Sequence, residues 1–244
     1  ERVQADPTKN KYGLKDLVKI LAQRPVAITF LSSLVYMIGT FVMNTMLAYF
    51  FTYVIGNLAL ISVVSIVQLV ALLPATILVG TLIAKFGKKK LYIAGLVLIG
   101  LAPLIRLIDV TNVPILMIVT VVTGFASGLC MPLTYGIQAD NTDYVELKMG
   151  VRAEAAVAAL SSFITKCGMG IGGAIPGYLL AAVGFDATAQ SQPEEVRTVV
   201  IISAIVIPAV LSVLGAIIFG VGYPLTKEGL EAQAEKIKEI RAKE

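Results

Sequence analysis

Six long apolar runs constrain the fold of this chain more than any other feature of its sequence. Each has about 20 residues or more, the length that an α-helix needs to cross a ~30 Å hydrocarbon layer, and none alternates apolar and polar residues as a barrel strand does. We therefore predict an all-α membrane protein with a six-transmembrane-helix bundle at 26–222. The runs lie at about 26–53, 58–84, 90–109, 112–137, 153–184 and 197–222.

The composition excludes several functional classes. Of the 244 residues, 57% are hydrophobic and 15% are charged, whereas about a quarter of a soluble domain is charged, so we expect neither a water-soluble enzyme nor a nucleic-acid partner. The chain has no histidine and only two cysteines, Cys130 and Cys167, too few for a Cys/His metal site or a disulfide framework. We expect no cofactor, no metal site and no enzymatic activity. The chain has no histidine, and none of its spans contains a pair of acids, so the usual groups for general acid–base catalysis are missing.

The distribution of basic residues predicts the orientation of the bundle. Seventeen of the 20 lysines and arginines fall in segments that a six-span chain places on one side of the membrane, at 1–25, 85–90, 148–152 and 227–243. By the positive-inside rule, that side and both termini are cytoplasmic, in the cell (plasma or inner) membrane.

Two cytoplasmic segments flank the bundle in this prediction. Residues 1–25 include a short helix near 14–21, which either contacts lipid headgroups or is a solvated linker. Residues 223–244 form a charged amphipathic tail helix with Leu230, Ala234 and Ile237 on one face. The chain begins at Glu1 without methionine, so we expect a fragment.

The fifth run is rich in glycine. Gly168 and Gly172, and then Gly173 and Gly177, are four residues apart. Small residues at this spacing let membrane helices approach closely, while glycine also suits a helix that moves and lines a cavity. The sequence leaves static packing and motion open.

Lys166 lies inside the fifth run, where an ordinary membrane helix has no charge. It is 13 residues from Ala153, about 20 Å along a helix and therefore near mid-depth. An ammonium there costs on the order of 3 kcal/mol, so we expect it to face a wet cavity or a carboxylate. The alternative is a lysine whose ammonium reaches the interface along its apolar stem.

The predicted loop at 139–154 concentrates charge between the fourth and fifth spans. Ion pairs at such a mouth can close a gate in one conformation and break in another, whereas a solvated turn gains little from them. Charge alone leaves both open. The candidate gate residues are Asp140, Asp143, Tyr144, Arg152 and Glu154.

These residues resemble a known family. Asp140 to Tyr144, Lys148, Val151 to Glu154, Lys166 and Gly168 are similar, at consistent spacing, to the loop and eleventh helix of the glycoside–pentoside–hexuronide:cation symporters. That family includes the melibiose carriers and belongs to the major facilitator superfamily. A weaker similarity, to the superfamily's loop between the second and third helices of each half, is carried by Gly80, Lys85, Gly87, Lys89 and Lys90, with Ala84 where an acid is usual.

The resemblance implies one half of a major-facilitator-type transporter. The six spans would be its helices seven to twelve, and residues 1–25 its central cytoplasmic loop. It also implies that Lys166 lies near the sugar and cation sites, and that Asp140, Asp143 and Arg152 form a cytoplasmic gate. Met131 stands where melibiose carriers have an aromatic residue against the sugar, so we do not expect specificity for a melibiose-like galactoside.

Further substrate-binding candidates follow from helical periodicity. Ser162 is one turn from Lys166 on the same face, and Thr165 adjoins it. Tyr36, Thr40 and Asn44 form a polar stripe along the first span. Together with Tyr135, these hydroxyl and amide groups suit a sugar, although such side chains also bridge packed helices.

These observations predict the C-terminal half of a secondary active transporter that carries a sugar, glycoside or hexuronide with Na⁺ or H⁺ by alternating access. The expected partners are the substrate, the lipid bilayer and an N-terminal six-helix half, which would bind most of the coupling cation because no acid lies inside a span of this chain. Two alternatives stay open: a major-facilitator transporter of a lipid, drug or peptide, and a standalone six-helix protein that homodimerises.

Overall fold

The computed structural model describes residues 14–150, 153–189 and 192–241, which form helices joined by short turns. Three of the membrane helices include a turn of other geometry: a π-helix at Phe50–Ile55, a 3₁₀-helix at Ala102–Leu107 and a π-helix at Ile202–Val206. The α-helices are α1 (Leu14–Leu21), α2 (Arg24–Tyr49), α3 (Leu60–Phe86), α4 (Lys88–Leu101), α5 (Val113–Met149), α6 (Glu154–Ala182), α7 (Glu194–Ile201), α8 (Ile207–Gly222) and α9 (Lys227–Arg241).

The predicted number of spans is confirmed. Within the described residues, six helical stretches are long and apolar enough to cross a membrane. They are Arg24–Ile55, Leu60–Phe86, Lys88–Leu107, Val113–Met149, Glu154–Ala182 and Glu194–Gly222.

The prediction of a loop at 139–154 is wrong for most of these residues. Helix α5 has 37 residues and continues through Asp140, Asp143 and Tyr144 to Met149. At 1.5 Å per residue it is roughly 55 Å long, well beyond the ~30 Å hydrocarbon layer. Residues 140–149 contain neither proline nor glycine, so nothing stops the helix in water, and it ends where Gly150 adopts a left-handed φ of 66°.

The spans pack as a series of neighbours. Helix α2 contacts α6 on one side and α8 on the other, α8 contacts α4, and α5 packs against both α4 and α3. Arg24 Nε donates to the Gly222 carbonyl at 3.2 Å, so the start of α2 and the end of α8 lie together. We call this end, which also carries Lys88 to Lys90, the lysine-rich end. Three core clusters fill the interior, represented by Leu96 and Phe219, by Phe50 and Ile205, and by Val26 and Val145.

The glycines of α6 divide into two groups. A Cβ at Gly168 would lie 2.8 Å from the Met37 Cβ, and one at Gly172 would lie 2.5 Å from the Ile38 carbonyl oxygen, so these two glycines let α6 and α2 touch. Gly173 and Gly177 have nothing within 4 Å of such a Cβ. Close packing therefore explains the first pair, whereas the second pair lies on an open face of the bundle.

Both predicted surface helices are present. In α1, Ile20 is 1% exposed against Val26 and Val157, so this helix docks on the bundle, while Val18 is exposed. In α9, Ile237 is 3% exposed, and Gln233 Nε2 donates to the Asp140 carbonyl at 2.7 Å. The tail helix is thus fixed across the lysine-rich end.

Candidate functional site

A cavity of about 320 Å³ opens between α2, α5 and α6. Each of these helices contributes hydroxyl or amide groups to its wall, and Phe30, Met37 and Ile164 supply apolar surface. The mixture can both pack against the faces of a small polar molecule and exchange hydrogen bonds with it. The polar lining residues are Ser33, Thr134, Tyr135, Gln138, Ser161, Ser162 and Thr165.

Three of the predicted binding residues come together here. Ser162, Thr165 and Tyr135 all line the cavity, although they belong to two different spans. The Thr165 hydroxyl donates to the Ser161 carbonyl at 2.9 Å, which leaves its lone pairs as acceptors. Tyr135 is 64% exposed, so its ring is accessible from the cavity mouth.

Lys166 is exposed and lies near the middle of α6, beside the cavity. It is adjacent in sequence to Thr165 and one turn from Ser162, both of which line the cavity. In the part of the chain that the structure describes, Lys166 forms no ion pair. Its ammonium is therefore accessible to an anionic group from outside this chain.

The other predicted binding residues lie away from the lining. Tyr36 packs against the core cluster of Leu96 and Phe219, and its carbonyl accepts from the Thr40 hydroxyl at 3.1 Å. Asn44 is exposed further along α2, and Met131 is 58% exposed one turn before Tyr135. The structure thus separates this polar stripe from the cavity, and the binding roles of these four residues stay a prediction.

Sequence reasoning missed part of the cavity wall. Ser33, Thr134, Gln138 and Ser161 were not predicted. A signal was present, because Thr134 and Gln138 are four residues apart on α5, as Ser161 and Thr165 are on α6. The fourth span was predicted to end at 137, so Gln138 fell just outside it.

The charged residues at the lysine-rich end belong to two separate groups. Asp140 binds Lys88 of α4, whose Nζ lies 2.7 Å and 2.8 Å from the two carboxylate oxygens. Asp143 and Glu154 instead line a separate cavity of about 200 Å³ between α5 and α6. Tyr144 is half-buried on α5, and Arg152 lies outside the described residues.

A buried network of polar side chains ties three elements together at this end. Asn141 Nδ2 donates to Thr29 Oγ1 at 2.9 Å, and the Tyr223 hydroxyl donates to Asn141 Oδ1 at 3.2 Å. All three residues are at most 3% exposed. Burial, with the Asp140 charge, raises the pKa of Tyr223, so this hydroxyl keeps its proton and stays a donor.

Three relatives illustrate what this chain is similar to. The isoprimeverose transporter of Lactiplantibacillus pentosus is 37% identical over 199 residues, 78% of this chain and 40% of that protein. The glucuronide carrier protein homolog of Escherichia coli (strain K12) is 30% identical over 241 residues, 98% of this chain and 50% of that protein. The putative sulfoquinovose importer of the same organism is 25% identical over 250 residues, 99% of this chain and 52% of that protein.

The similarity extends over almost the whole chain, but over only part of each relative. The chain spans about half the length of the curated relatives it matches. A family model described as MFS/sugar transport protein matches residues 2–227. The chain therefore belongs to the MFS/sugar transport protein family, which confirms its resemblance to the glycoside–pentoside–hexuronide:cation symporters.

Proposed function

We propose that this chain is the C-terminal half of a secondary active transporter that carries a sugar, glycoside or hexuronide together with Na⁺ or H⁺. The six spans would be helices seven to twelve, residues 1–25 the central cytoplasmic loop and residues 223–244 a cytoplasmic tail. Family membership supports this proposal, as does the similarity to the isoprimeverose transporter and the glucuronide carrier protein homolog.

One observation carries the proposal: a cavity lined by hydroxyl and amide groups lies beside a lysine near the middle of a membrane helix. A sugar presents hydroxyls in several directions, so Ser162, Thr165 and Gln138 are suitable partners. An ammonium inside a membrane helix is costly to insert unless it is paired with an anion or hydrated. It is therefore an indication of a substrate or ion pathway. Lys166 would bind the carboxylate of a hexuronide or an acid of the N-terminal half.

The orientation and the gate are part of the same proposal. The positive-inside rule places the lysine-rich end in the cytoplasm. We assign the gate to Asp143, Tyr144, Arg152 and Glu154 between the two halves. Asp140 contributes from within this half, where its ion pair with Lys88 fixes the part of α5 that carries the other α5 gate residues.

The transport cycle would consist of rocking this bundle against the N-terminal half. In transporters with two such halves, the substrate binds between them and is exposed to each side in turn. The open face of α6, which carries Gly173 and Gly177, is suited to line the interface because no described residue of another helix lies within 4 Å of a Cβ at either glycine. The coupling cation would bind mainly to carboxylates of the N-terminal half.

The test is coupled uptake by the full-length transporter with Lys166→Cys, with Lys236→Cys as the control. Both changes remove one ammonium from an exposed position, but Lys236 lies on the tail helix. We expect Lys166→Cys to abolish accumulation of a radiolabelled glucuronide or isoprimeverose against its gradient in vesicles driven by Na⁺ or H⁺, and Lys236→Cys to retain it. Retained accumulation in Lys166→Cys would refute the role of Lys166. Absence of accumulation in the unsubstituted protein for every sugar tested would refute the function.

A further inference from the structure

A groove of about 820 Å³ lies at the lysine-rich end and shares no lining residue with the cavity between α2, α5 and α6. Its walls are the turn between α3 and α4 and the first half of the tail helix α9. Five lysines and three acids line it, so the lining is net positive. They are Lys85, Lys88, Lys89, Lys90 and Lys227, with Asp140, Glu228 and Glu231.

Three of the five lysines have structural partners. Lys88 is paired with Asp140, Lys89 Nζ donates to the Tyr223 carbonyl at 2.6 Å, and Lys227 Nζ donates to the Ala84 carbonyl at 3.0 Å. These contacts hold the tail helix against the α3–α4 turn. Each of these lysines thus spends at least one N–H on a contact within the protein, which fixes the shape of the groove.

The remaining two lysines, Lys85 and Lys90, are exposed. Over the described part of the chain, neither forms an ion pair. Lys85 Nζ lies 5.3 Å from the centroid of the Phe86 ring, a contact that leaves its three N–H donors accessible. Two exposed ammoniums therefore line the groove on either side of one turn, and Glu228 of the tail helix lies within electrostatic range of Lys90.

The position of the groove relative to the membrane indicates which class of anion it can bind. The turn joins two membrane spans, Leu60–Phe86 and Lys88–Leu107, so its lysines lie where the hydrocarbon layer meets the headgroups. Below them, Phe86 is 48% exposed, and Ile83, Ile93 and Leu225 give the groove an apolar wall. A phospholipid has the matching arrangement, with a negative phosphate above apolar chains.

We propose that this groove binds an anionic phospholipid, with Lys85 and Lys90 contacting the phosphate and the apolar wall contacting an acyl chain. Basic pockets between membrane helices at this level are suited to lipid headgroups, and each lysine near a charged surface contributes about a fivefold change in binding. Removal of both lysines should therefore weaken binding by roughly 25-fold. The inference does not depend on which substrate the protein carries.

The test is a lipid titration of the purified full-length protein by native mass spectrometry, with phosphatidylglycerol and phosphatidylcholine as probes. The variant is Lys85→Gln with Lys90→Gln, and the control is Lys148→Gln with Lys236→Gln, which removes the same charge from exposed positions at the same end. We expect the first variant to lose the preference for phosphatidylglycerol and the control to keep it. A Lys85→Arg, Lys90→Arg variant, which keeps both charges, should retain the preference.

Two results would overturn the proposal. An equal loss of preference in the control variant would indicate that diffuse surface charge attracts the lipid, without a defined groove. Displacement of phosphatidylglycerol by an equal concentration of inorganic phosphate would show that the lysines bind soluble anions and that the apolar wall contributes nothing. Circular dichroism of each variant, compared with the unsubstituted protein, confirms that a loss of binding is not a loss of fold.

Discussion

Replacement of Asn141 by leucine is expected to destabilise the bundle more than the change in side-chain size suggests. Leucine has the same branched skeleton of side-chain heavy atoms and bulkier methyl groups, so the change leaves no cavity. It removes the hydrogen bond to Thr29 Oγ1 and the acceptor of the Tyr223 hydroxyl. Thr29 keeps its own donor satisfied, because its hydroxyl donates to the Pro25 carbonyl at 2.8 Å.

The magnitude follows from these contacts. The hydrogen bond to Thr29 contributes about 0.5–1.5 kcal/mol, and the Tyr223 hydroxyl left without its acceptor costs about 1–3 kcal/mol, which includes its lost hydrogen bond. We therefore expect Asn141→Leu to lower the free energy of unfolding by about 1.5–4.5 kcal/mol. The hydroxyl that causes most of this loss belongs to Tyr223, so adding Tyr223→Phe should restore part of the stability.

The assay is SDS titration of the purified full-length protein, followed by circular dichroism. We expect the double variant Asn141→Leu, Tyr223→Phe to be more stable than Asn141→Leu alone, although Tyr223→Phe by itself destabilises. Asn44→Leu, on an exposed position of α2, is the matched control and should cost less than about 0.5 kcal/mol. Additive losses in the double variant would refute the assignment of an unpaired hydroxyl.

Two further substitutions test the packing of the bundle by the same titration. Gly172→Ala should cost about 1–3 kcal/mol of stability, because the added Cβ would lie 2.5 Å from the Ile38 carbonyl oxygen. Gly173→Ala is the control and should be neutral or stabilising, because its Cβ would enter open space. Equal effects of the two substitutions would contradict the close contact of α6 and α2. Arg106→Met should leave stability unchanged or raise it by up to about 4 kcal/mol, because two guanidinium nitrogens are buried without a partner among the described residues. The change also removes the cation–π contact between the guanidinium and the Phe50 ring, whose centroid lies 4.4 Å from Cζ, and this loss offsets part of the gain. A loss above about 1 kcal/mol would show that the charge itself stabilises the fold.

The spans could be predicted from the sequence because a membrane helix must be apolar over a fixed length. The same criterion could not find the end of α5, because a hydropathy pattern detects where a helix leaves the hydrocarbon and not where it stops. Asp140 and Asp143 are compatible with a helix in water, and only Gly150 ends it. The charged segment was therefore predicted as a loop when most of it is helix.

The sequence indicates only in part where the 3₁₀-helix and the π-helices interrupt the membrane helices. The 3₁₀-helix Ala102–Leu107 has Pro103 near its start, and the π-helix Ile202–Val206 ends two residues before Pro208. Proline cannot donate a backbone hydrogen bond, so it predicts that a helix is disturbed nearby. It does not specify which geometry replaces the α-helix.

Helical periodicity found one wall of the cavity and could not find the others. It grouped Ser162 with Thr165 because both belong to α6. It could not show that α2 has neighbours on two sides, α6 and α8, so the direction of the Tyr36 stripe was undetermined. Likewise, Lys88 and Asp140 are 52 residues apart, and only the packing of α4 on α5 brings them together.

Lys88 and Lys166 differ in how their charge is balanced. Lys88 lies at a helix end and has a carboxylate from its own chain within 2.8 Å, so its charge is balanced within this half. Among the described residues, Lys166 has no ion-pair partner, since Glu154 precedes it by 12 residues on the same helix, roughly 18 Å away, and Asp109 lies in a turn at the opposite end of the bundle. A mid-membrane ammonium is stable only with a partner or water. We infer that its partner comes from outside this chain, either from the N-terminal half or from an acidic sugar. The competing demand for one lysine would then couple substrate binding to the approach of the two halves.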